Sequence, residues 1–503
     1  MTKFLTFAPM RTQFLFAALL GAALVSCKAT DPVGPVIPPE PDPEPETLFC
    51  TDQPIKLSFD AAPVLGSEGC IRVFRKDTGK QVDLIDLADK ARVSVRESDG
   101  AMVPVSQMNK ETLYHSFLDA LPSGSRYRPV HYTPLRIQGN TLEIKLHSGV
   151  LEFGKTYYVT VDEGFVAGQK GIAEGELEFT TKAKPASKTL LKVNADGSAD
   201  FCTVQGALTY AGSLGQSAEV TVSVAAGTYR ELLYLRNKNK LTLKGEGRDK
   251  TRIIYPNNES YSTGSGAGSD RKPEIGKALN VLGGRGLMLT ENCNELALEG
   301  LTMENSFGEL KGQAEVIYFN SSDGSHRLSV EKCSLISYQD TFLCKGLVYV
   351  HESLIAGHCD FIWGYPVACL FQDCEIRARA DGYIVQARIG KATDKGFVFL
   401  DCRLTADAGV ANGSMYLARS GGDSSVYDNV TYINCSMGPV IAGKGWYESP
   451  APNPAKPNAS TGWKERGSVD ENGAPLSHTS TYGRVLTENE AEAFSSRKAV
   501  LGY

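Results

Sequence analysis

Four short phrases in the C-terminal part of the chain share one pattern, and that pattern limits how the chain can fold. Each places a cysteine inside a strand-like run: EKCSLI around Cys333, QDCEIR around Cys374, LDCRLT around Cys402 and INCSMG around Cys435. Their spacing is irregular but loosely periodic, which is typical of a solenoid whose coils are interrupted by loops of different length. We therefore expect these cysteines to be small buried residues in an internal ladder, not metal ligands.

The runs from residue 188 onward favour strands over helices. Segments such as EVTVSV, LTLKG, AEVIYFN, GLVYV and GFVFLDC are short, are rich in β-branched and aromatic residues, and are separated by turns. Long amphipathic helical patterns are nearly absent. Residues 188–503 are therefore predicted to form a right-handed parallel β-helix, with strands stacked about 4.8 Å apart.

Residues 48–183 have a different pattern. Alternating runs such as IKLSF, TLEIKL, TYYVTV and ELEFTT are separated by Gly, Asp and Pro, which predicts an antiparallel β-sandwich. The stretch LEFGKTYYVTVDEGFVAGQKGIAEGELEFTT resembles the final strands of bacterial Ig-like domains. We expect a small Ig-like β-sandwich that spaces or supports the β-helix, so that the fold class of the whole chain is all-β.

The N-terminus has the features of a targeting segment. Lys3 and Arg11 precede the apolar run FLFAALLGAALV, which is too short to span a bilayer comfortably and predicts a cleaved signal. The run ends in LVSC, which resembles the lipobox of bacterial lipoproteins; an ordinary signal peptide is the alternative. Residues 1–27 are predicted to be a lipoprotein signal with Cys27 as the lipidated residue. Residues 28–47, rich in proline and acid, predict an extended linker.

The composition and the absence of several motifs argue against nucleic-acid, metal and cofactor partners. A net charge of −6 gives no bulk attraction to nucleic acid. Without Cys27 the cysteines are odd in number, so their count implies no disulfide framework, and no CxxC, HExxH or GxSxG motif is present. We expect a monomeric lipoprotein of the bacterial outer membrane, facing the periplasm or the exterior, with no metal or cofactor.

The stretch SYQDTFLCKGLVYVHESLIAGHCDFIWG places Asp340 and Asp360 in apolar and aromatic surroundings. In a parallel stack, residues one coil apart are neighbours on the same face, so we expect the two carboxylates to lie together in a shallow groove. Close carboxylates push each other's pKa apart, and one can then act as a nucleophile while the other donates a proton. Amides can stabilise an oxyanion and a guanidinium can hold one carboxylate ionised. The candidates for these tasks are Gln313, Gln339, Gln386 and Arg419.

Five ordered motifs resemble those of pectin methylesterases: DGSADFCTVQGAL, GTYRE, LTLKGEG, YQDTF and DFIWG. The resemblance implies a right-handed parallel β-helix enzyme that removes methyl groups from esterified galacturonate without metal or cofactor. It implies that Asp360 is the nucleophile and that Asp340 is the acid and then the base. It further implies an oxyanion hole formed by Gln313 and Gln339, with Arg419 orienting Asp360 and Gln386 lining the site. We expect Asp340, without a guanidinium partner of its own, to hold its proton more readily.

Three departures from the family pattern concern substrate binding. LARSG keeps Arg419 but lacks the tryptophan that usually follows it, QAEVI places Glu315 where the family is apolar, and DFIWG has Trp363 where phenylalanine is usual. Because sugar faces pack well on aromatic rings, replacement stacking surfaces are predicted among Trp363, Tyr338, Phe342 and Trp446.

Two alternatives to an esterase stay open at this point. One is another pectin-active enzyme on the same fold, either a glycosidase with paired aspartates or a lyase with a calcium-binding carboxylate cluster. The sequence shows no dense acidic cluster of that kind. The other is a non-catalytic surface protein that binds pectin.

Overall fold

The computed structural model describes residues 48–89, 93–96, 102–103, 113–259, 262, 264, 266, 268–269, 283–307, 312–476 and 478–503. The described chain is almost entirely β. The signal, the lipidated Cys27 and the linker predicted for residues 1–47 lie outside this part. No helix within the described ranges is long and apolar enough to cross a membrane.

The N-terminal region consists of small antiparallel sheets. Its strands are β1 (Ile55–Ser58), β2 (Cys70–Arg75), β3 (Lys80–Asp86), β4 (Val93–Arg96), β5 (Met102–Val103), β6 (Leu113–Ser123), β7 (Arg126–Tyr132), β8 (Leu135–Gln138), β9 (Thr141–Ile144), β10 (Thr156–Val161) and β11 (Glu178–Thr180). They form sheets of order β1-β9-β8, β11-β10-β2-β3 and β5-β4-β6-β7. The alternating apolar residues of the sequence, such as Ile71 and Val73, are buried in one core. The antiparallel arrangement agrees with the expectation; the Ig-like topology stays a prediction.

The rest of the chain forms one large parallel sheet wound into a helix, as the repeats predict. Its first strands are β12 (Leu190–Val193), β13 (Val220–Val224), β14 (Gly227–Tyr229), β15 (Leu233–Arg236), β16 (Asn239–Gly245), β17 (Thr251–Tyr255), β18 (Met288–Glu291), β19 (Asn294–Glu299), β20 (Thr302–Asn305), β21 (Ile317–Asn320), β22 (Arg327–Glu331) and β23 (Ser334–Ile336). The later strands are β24 (Phe342–His351), β25 (Leu354–Gln372), β26 (Glu375–Ala387), β27 (Gly396–Leu400), β28 (Arg403–Ala406), β29 (Met415–Ala418), β30 (Val430–Ile433), β31 (Ser436–Met437), β32 (Trp463–Arg466), β33 (Val469–Asp470) and β34 (Gly483–Val485).

In the interior of the β-helix, side chains at the same position on successive coils form columns. One column contains Phe371, Phe399 and Tyr432, which are paired in register. Their rings stack with centroids 4.8 Å and 4.4 Å apart and planes within 8° of parallel. The ring spacing matches the distance between neighbouring strands, so the aromatic stack and the backbone hydrogen bonds favour the same register.

The cysteine phrases form one turn of each coil. Cys333, Cys374, Cys402 and Cys435 are all at most 2% exposed, which confirms the predicted internal ladder. Each follows a residue with a left-handed backbone, at φ of 53° or 54°. The left-handed residue turns the chain so that the next, small side chain points inward. The thiols contact carbonyl oxygens inside the stack, for example Cys402 Sγ at 3.3 Å from the Phe371 oxygen.

Helix α1 (Val204–Ser213) covers the N-terminal end of the β-helix, with Val204, Ala207, Leu208 and Ala211 buried. Its start is fixed by Thr203, whose hydroxyl accepts from the Gly206 N–H at 3.0 Å. The Asp52 carboxylate accepts from the N–H groups of Cys202 and Thr203, where the helix dipole favours a negative charge. Helices α2 (Glu488–Ala491) and α3 (Arg497–Leu501) lie near the C-terminus, and α3 packs against β24 and β25.

Cys50, Asp52 and Cys202 also form the one group with metal-ligand spacing in the described residues, their ligand atoms lying within 4.8 Å of one another. The Thr203 hydroxyl adds a further hydrogen bond to the Asp52 carboxylate at 2.6 Å. Since the Asp52 oxygens already accept from this hydroxyl and from the N–H groups of the two residues that precede α1, we assign the carboxylate to the start of this helix.

Arg128 of β7 joins the N-terminal region to the β-helix. The residue is 0% exposed, and its guanidinium donates to the carbonyl oxygens of Gly283 at 2.8 Å, Leu233 at 2.7 Å and Gly284 at 3.0 Å. It also donates to the Gly286 and Leu287 oxygens. Burial lowers the pKa of Arg128 to about 10. The carbonyl groups therefore take the place of water around a fully buried cation.

Arg128→Met should destabilise the protein, because five buried carbonyl oxygens lose a charged donor. We expect a loss of about 3 kcal/mol or more in the free energy of unfolding, measured by urea denaturation. Lys80→Met, at an exposed position of β3, is the control and should change it by less than about 0.5 kcal/mol. Equal stability of the two variants would contradict a structural role for the Arg128 contacts.

Candidate active site

Three carboxylates occupy the same position on three successive coils. The register pairs Phe342 with Ile317 on one neighbouring coil and with Ile362 on the other. One carboxylate lies two residues before each of these three paired residues. The column consists of Glu315, Asp340 and Asp360, which are 0%, 3% and 5% exposed. The Asp340 N–H donates to the Cys359 oxygen at 3.0 Å. The stacking thus places the two aspartates on neighbouring coils, as the spacing predicts, with a third acid beside them.

Asp360 is held by two side chains from later coils. Arg419 donates through Nε to Asp360 Oδ1 at 2.7 Å and through Nη2 to Oδ2. Gln386 Nε2 donates to Oδ2 at 3.0 Å. A bidentate guanidinium favours the ionised carboxylate and fixes its plane. Asp360 itself has a left-handed backbone with φ 47°, which turns the side chain out of the strand interior.

Asp340 has a guanidinium partner, and the expectation that it lacks one is wrong. Arg285 Nη2 donates to Asp340 Oδ2 at 3.1 Å. The pKa of Asp340 is nevertheless raised well above its usual value, first by burial and then by the charges of Glu315 and Asp360, which outweigh Arg285. The raised pKa favours the protonated form of Asp340, although for a different reason from the one expected.

Arg285 is shared among three acids. Its Nε lies 3.0 Å from both carboxylate oxygens of Glu315, and its Nη1 lies 2.7 Å from Glu259 Oε2. Burial raises the pKa of Glu315 to about 7, against the opposing effect of Arg285. Glu315, which stands where the sequence comparison expects an apolar residue, thus adds a buried acid with a pKa near neutral directly beside Asp340.

Gln313 and Gln339 lie side by side on adjacent coils. Their backbones form a parallel bridge, and the Ala314 N–H donates to the Gln339 oxygen at 3.1 Å. Both side chains are half-buried, and Gln339 directly precedes Asp340. Paired residues on neighbouring strands are about 4.8 Å apart, so the two amides can approach one substrate oxygen. Their role as an oxyanion hole stays a prediction.

Two of the predicted stacking residues belong to the core, and their prediction as sugar platforms is wrong. Phe342 is 0% exposed and packs edge-on against Phe371, with ring centroids 6.4 Å apart. Trp446 is 0% exposed and stacks on Trp463 at 5.2 Å. Both rings point into the β-helix, where the inner columns are fully enclosed.

The other two predicted stacking residues are Trp363, which belongs to the main buried apolar cluster, and the half-buried Tyr338. Each is covered in part by an arginine. The Arg388 guanidinium carbon lies 5.1 Å from the centroid of the Trp363 ring, which is 6% exposed. Arg379 lies 3.9 Å above the half-buried Tyr338 ring. A role for either ring in sugar binding stays a prediction.

Several residues that surround the aspartates could not be identified from sequence motifs. Arg285 lies in the segment GGRGL, which has no catalytic pattern, and Arg388, Lys345 and Tyr365 lie in ordinary strand and loop contexts. Among the residues around the aspartates, only Glu315 stands out in the sequence, as an acid in an apolar run. The signal for Lys345, Tyr365 and Arg388 is positional, because they lie two residues beyond the paired residues Leu343, Trp363 and Gln386.

Comparison with known proteins identifies the family. A family model described as Pectinesterase matches residues 191–502. Pectinesterase 31 of Arabidopsis thaliana is 30% identical over 269 residues, covering 52% of this chain and 78% of that protein. Pectinesterase A of Emericella nidulans is 27% identical over 253 residues, covering 50% and 71%. A solved pectin methylesterase from carrot has the same fold, with a TM-score of 0.52 at 21% identity, covering 64% of this chain and 95% of that structure. The chain belongs to the pectinesterase family.

Proposed function

We propose that this protein is a carboxylic ester hydrolase that removes methyl groups from methyl-esterified galacturonan in pectin and releases methanol. The observation that carries the proposal is the unequal pair of aspartates. Asp360 accepts hydrogen bonds from Arg419 and Gln386, whereas the pKa of Asp340 is raised by burial and by neighbouring carboxylates. The family match supports the ester as the substrate group.

In the first step, Asp360 attacks the ester carbonyl carbon. The Arg419 fork presents the carboxylate in one orientation through its hydrogen bonds, while Gln386 restrains the second oxygen. The amides of Gln313 and Gln339 would donate to the carbonyl oxygen as it gains negative charge. Preformed donors at a developing oxyanion commonly supply several kcal/mol of transition-state stabilisation.

In the second step, the C–O bond to the methoxide breaks and Asp340 gives its proton to the leaving oxygen, which departs as methanol. The galacturonate acyl group is then bound to Asp360 as an anhydride. Asp340, now ionised, accepts a proton from water as the water oxygen attacks the acyl carbon. The bond to Asp360 breaks, so Asp360 regains its charge while Asp340 keeps the proton taken from water. The product leaves as galacturonic acid, whose carboxyl group then releases its proton to solvent.

Rival activities on the same fold make different products. A glycosidase creates new reducing ends and a lyase creates unsaturated sugars, whereas an esterase releases methanol without cleaving the chain. A binding protein without activity shows saturable binding to pectin and no turnover. A methanol assay on highly esterified pectin, beside a demethylated control, distinguishes these functions.

Asp360→Asn should lower methanol release by several orders of magnitude, because the attacking oxygen is lost. Asp340→Asn keeps the nucleophile and loses the proton transfer, so a loss of about 10²- to 10⁴-fold is expected. Arg419→Lys keeps the charge but not the planar fork, so turnover should fall in a folded protein.

Circular dichroism and thermal melts establish that each of these variants is folded. Asp470→Asn, in β33 and outside the acid column, is the matched acid-to-amide control and should keep full turnover. Methanol release near the wild-type rate from folded Asp360→Asn protein would refute the nucleophile assignment.

Glu315→Gln should move the alkaline limit of activity to lower pH. Asp340 donates its proton only while protonated, and the negative charge of Glu315 helps to raise the pKa of Asp340. Removing that charge lowers this pKa, so Asp340 loses its proton at a lower pH. The measurement is kcat for methanol release as a function of pH, with the exposed Glu471→Gln as the control. An alkaline limit that does not move in Glu315→Gln would exclude this coupling.

We further propose that the chain is a monomeric lipoprotein, tethered to the outer membrane through Cys27 and residues 28–47 and facing the periplasm or the exterior. An N-terminal Ig-like β-sandwich would then hold the catalytic β-helix away from the lipid surface. The LVSC motif and the proline-rich linker support this arrangement.

Cys27→Ala should release the protein from the membrane fraction, since lipid attachment at that residue supplies the anchor. Fractionation followed by immunoblotting provides the measurement, and methanol release by the soluble fraction shows that the enzyme is folded. A mutant that remains wholly in the membrane fraction would rule out Cys27 as the anchor.

A further inference from the structure

Cys50 and Cys202 come from opposite ends of the N-terminal region and meet where that region joins the β-helix. Cys50 lies shortly after the predicted linker, and Cys202 directly precedes Thr203, the residue that caps α1. The two sulfur atoms lie within 4.8 Å of each other, and the residues are 0% and 4% exposed. All strands from β1 to β12 lie between the two cysteines in the chain. Their contact therefore closes a loop around the N-terminal region.

Backbone hydrogen bonds hold the two cysteine segments together. The Phe49 N–H donates to the Thr180 oxygen at 2.8 Å, which fixes the segment that leads into Cys50. The Cys202 N–H lies 3.1 Å from both carboxylate oxygens of Asp52. Because Asp52 is only two residues after Cys50, this hydrogen bond joins one cysteine segment to the other. The closeness of the two sulfur atoms thus follows from contacts between the segments that carry them.

Lys182 places a positive charge beside the two thiols. Its Nζ donates to the carbonyl oxygens of Gly197 and Ala199 at 2.5 Å and 2.7 Å. The Cys50 thiol donates to the same two oxygens at 3.7 Å and 3.4 Å. The hydrogen bond between the thiols lowers the pKa of Cys50 and raises that of Cys202, while burial raises and the Lys182 charge lowers both pKa values. A thiolate beside a cation is the reactive form of cysteine, so Cys50 is the member of the pair suited to attack.

Another pair of thiols, inside the β-helix, is placed differently. The Cys344 and Cys369 sulfur atoms lie 3.7 Å apart. Both residues are 0% exposed and belong to the main apolar cluster, and burial raises the pKa of Cys369 well above its usual value. Thiol–disulfide exchange requires a thiolate and the approach of a second sulfur compound. The inner pair is therefore poorly placed for it.

A cavity of about 400 Å³ between the N-terminal region and the β-helix reaches both segments of the Cys50–Cys202 pair. Thr51 and Asp52 line it from one segment, and Thr203 lines it from the other. The exposed Arg230 is also part of the lining, so the cavity opens to solvent. A small reagent can therefore come within one residue of each thiol.

A metal ion is the alternative occupant of this place, because Asp52 adds a carboxylate to the two sulfur atoms. The Asp52 oxygens already accept from the N–H groups of Cys202 and Thr203 and from the Thr203 hydroxyl. Structural zinc sites have four protein ligands, and the Lys182 ammonium repels a cation. These observations favour a sulfur–sulfur bond over a bound metal.

We propose that Cys50 and Cys202 form a disulfide that covalently joins the N-terminal region to the β-helix. The oxidant is an exchangeable disulfide. The Cys50 thiolate attacks one sulfur of that disulfide and releases the other as a thiolate. Cys202 then loses its proton and attacks the Cys50 sulfur, which releases the second thiolate. Two cysteine thiols are oxidised, the external disulfide is reduced to two thiols, and the two cysteine protons end on those thiols.

The cross-link needs only a small movement and has a structural consequence. The sulfur atoms of a disulfide lie about 2.0 Å apart, so rotations of the two side chains that bring the sulfur atoms less than about 3 Å closer suffice. A cross-link around a long loop restricts the unfolded chain more than one around a short loop. The loop closed here contains Arg128, which binds the backbone on both sides of Arg285. The cross-link does not depend on the proposed ester hydrolysis.

The first experiment maps the thiols of the full chain. Reduced protein is freed of reductant, incubated with oxidised glutathione, denatured, alkylated with iodoacetamide and digested without reductant. Mass spectrometry should find the Cys50 and Cys202 peptides joined to each other, and neither joined to the half-buried Cys70. In Cys202→Ser, Cys50 should instead carry glutathione. Any other state of the two thiols in the wild type, whether alkylated, bound to glutathione or joined to other cysteines, would overturn the proposal.

The second experiment compares thermal melts of the oxidised protein with and without dithiothreitol, followed by circular dichroism. Reduction should lower the Tm of the wild type by about 5 °C. Cys70→Ala, the control, should show the same decrease, whereas the double variant Cys50→Ser and Cys202→Ser should melt at one temperature under both conditions. A wild-type Tm that does not respond to dithiothreitol would refute the cross-link, even if the double variant does not fold.

Elemental analysis of the reduced protein tests the metal alternative. We expect no bound zinc. One zinc per chain that is lost in Cys50→Ser would assign the sulfur atoms to a metal site and overturn the disulfide. None of these measurements uses methanol release, so their outcome is separate from that of the proposed function.

Discussion

In-register stacking of parallel coils is the constraint on which the rest of this structure depends. Each coil is hydrogen-bonded to the coil before and after it, so a side chain at one position is forced beside the equivalent side chains of its neighbours. In the interior this constraint produces the column of Phe371, Phe399 and Tyr432. In the candidate active site the same constraint produces the buried column of Glu315, Asp340 and Asp360, although like charges repel one another.

A column of three buried acids is tolerated because a guanidinium lies at each end. Arg285 binds Glu315 and Asp340, and Arg419 binds Asp360. The two ends are not equivalent. Arg419 forms a two-pronged contact with a single carboxylate, whereas Arg285 is divided among three acids. Asp340, in the middle of the column, therefore experiences two carboxylates, only part of the Arg285 charge and the smaller effect of Arg388. This inequality separates a carboxylate suited to attack from one suited to carry a proton.

Much of this arrangement could be predicted from the sequence, because the coil repeat is visible in it. The cysteine phrases indicated the solenoid, and the separation of Asp340 and Asp360 indicated neighbouring coils. The sequence could not show which way an aromatic side chain points near a turn. Asp340 has a left-handed backbone with φ 64°, and a left-handed residue breaks the simple alternation of sides along a strand. Phe342 therefore points inward. Trp446 lies in a loop before β32, where no alternating pattern predicts whether a side chain points inward or outward.

The acid column also depends on a part of the chain outside the family match. Arg128 lies in β7, well before residue 191, where that match begins. Its guanidinium binds the carbonyl oxygens of Gly284 and Gly286, the two residues that flank Arg285. Arg285 then donates to Asp340. A fully buried cation from the N-terminal region thus fixes the backbone from which the partner of Asp340 projects. The described residues of the N-terminal region form no hydrogen bond or ion pair with the aspartates, yet the electrostatic difference between them rests on a backbone that this region holds in place.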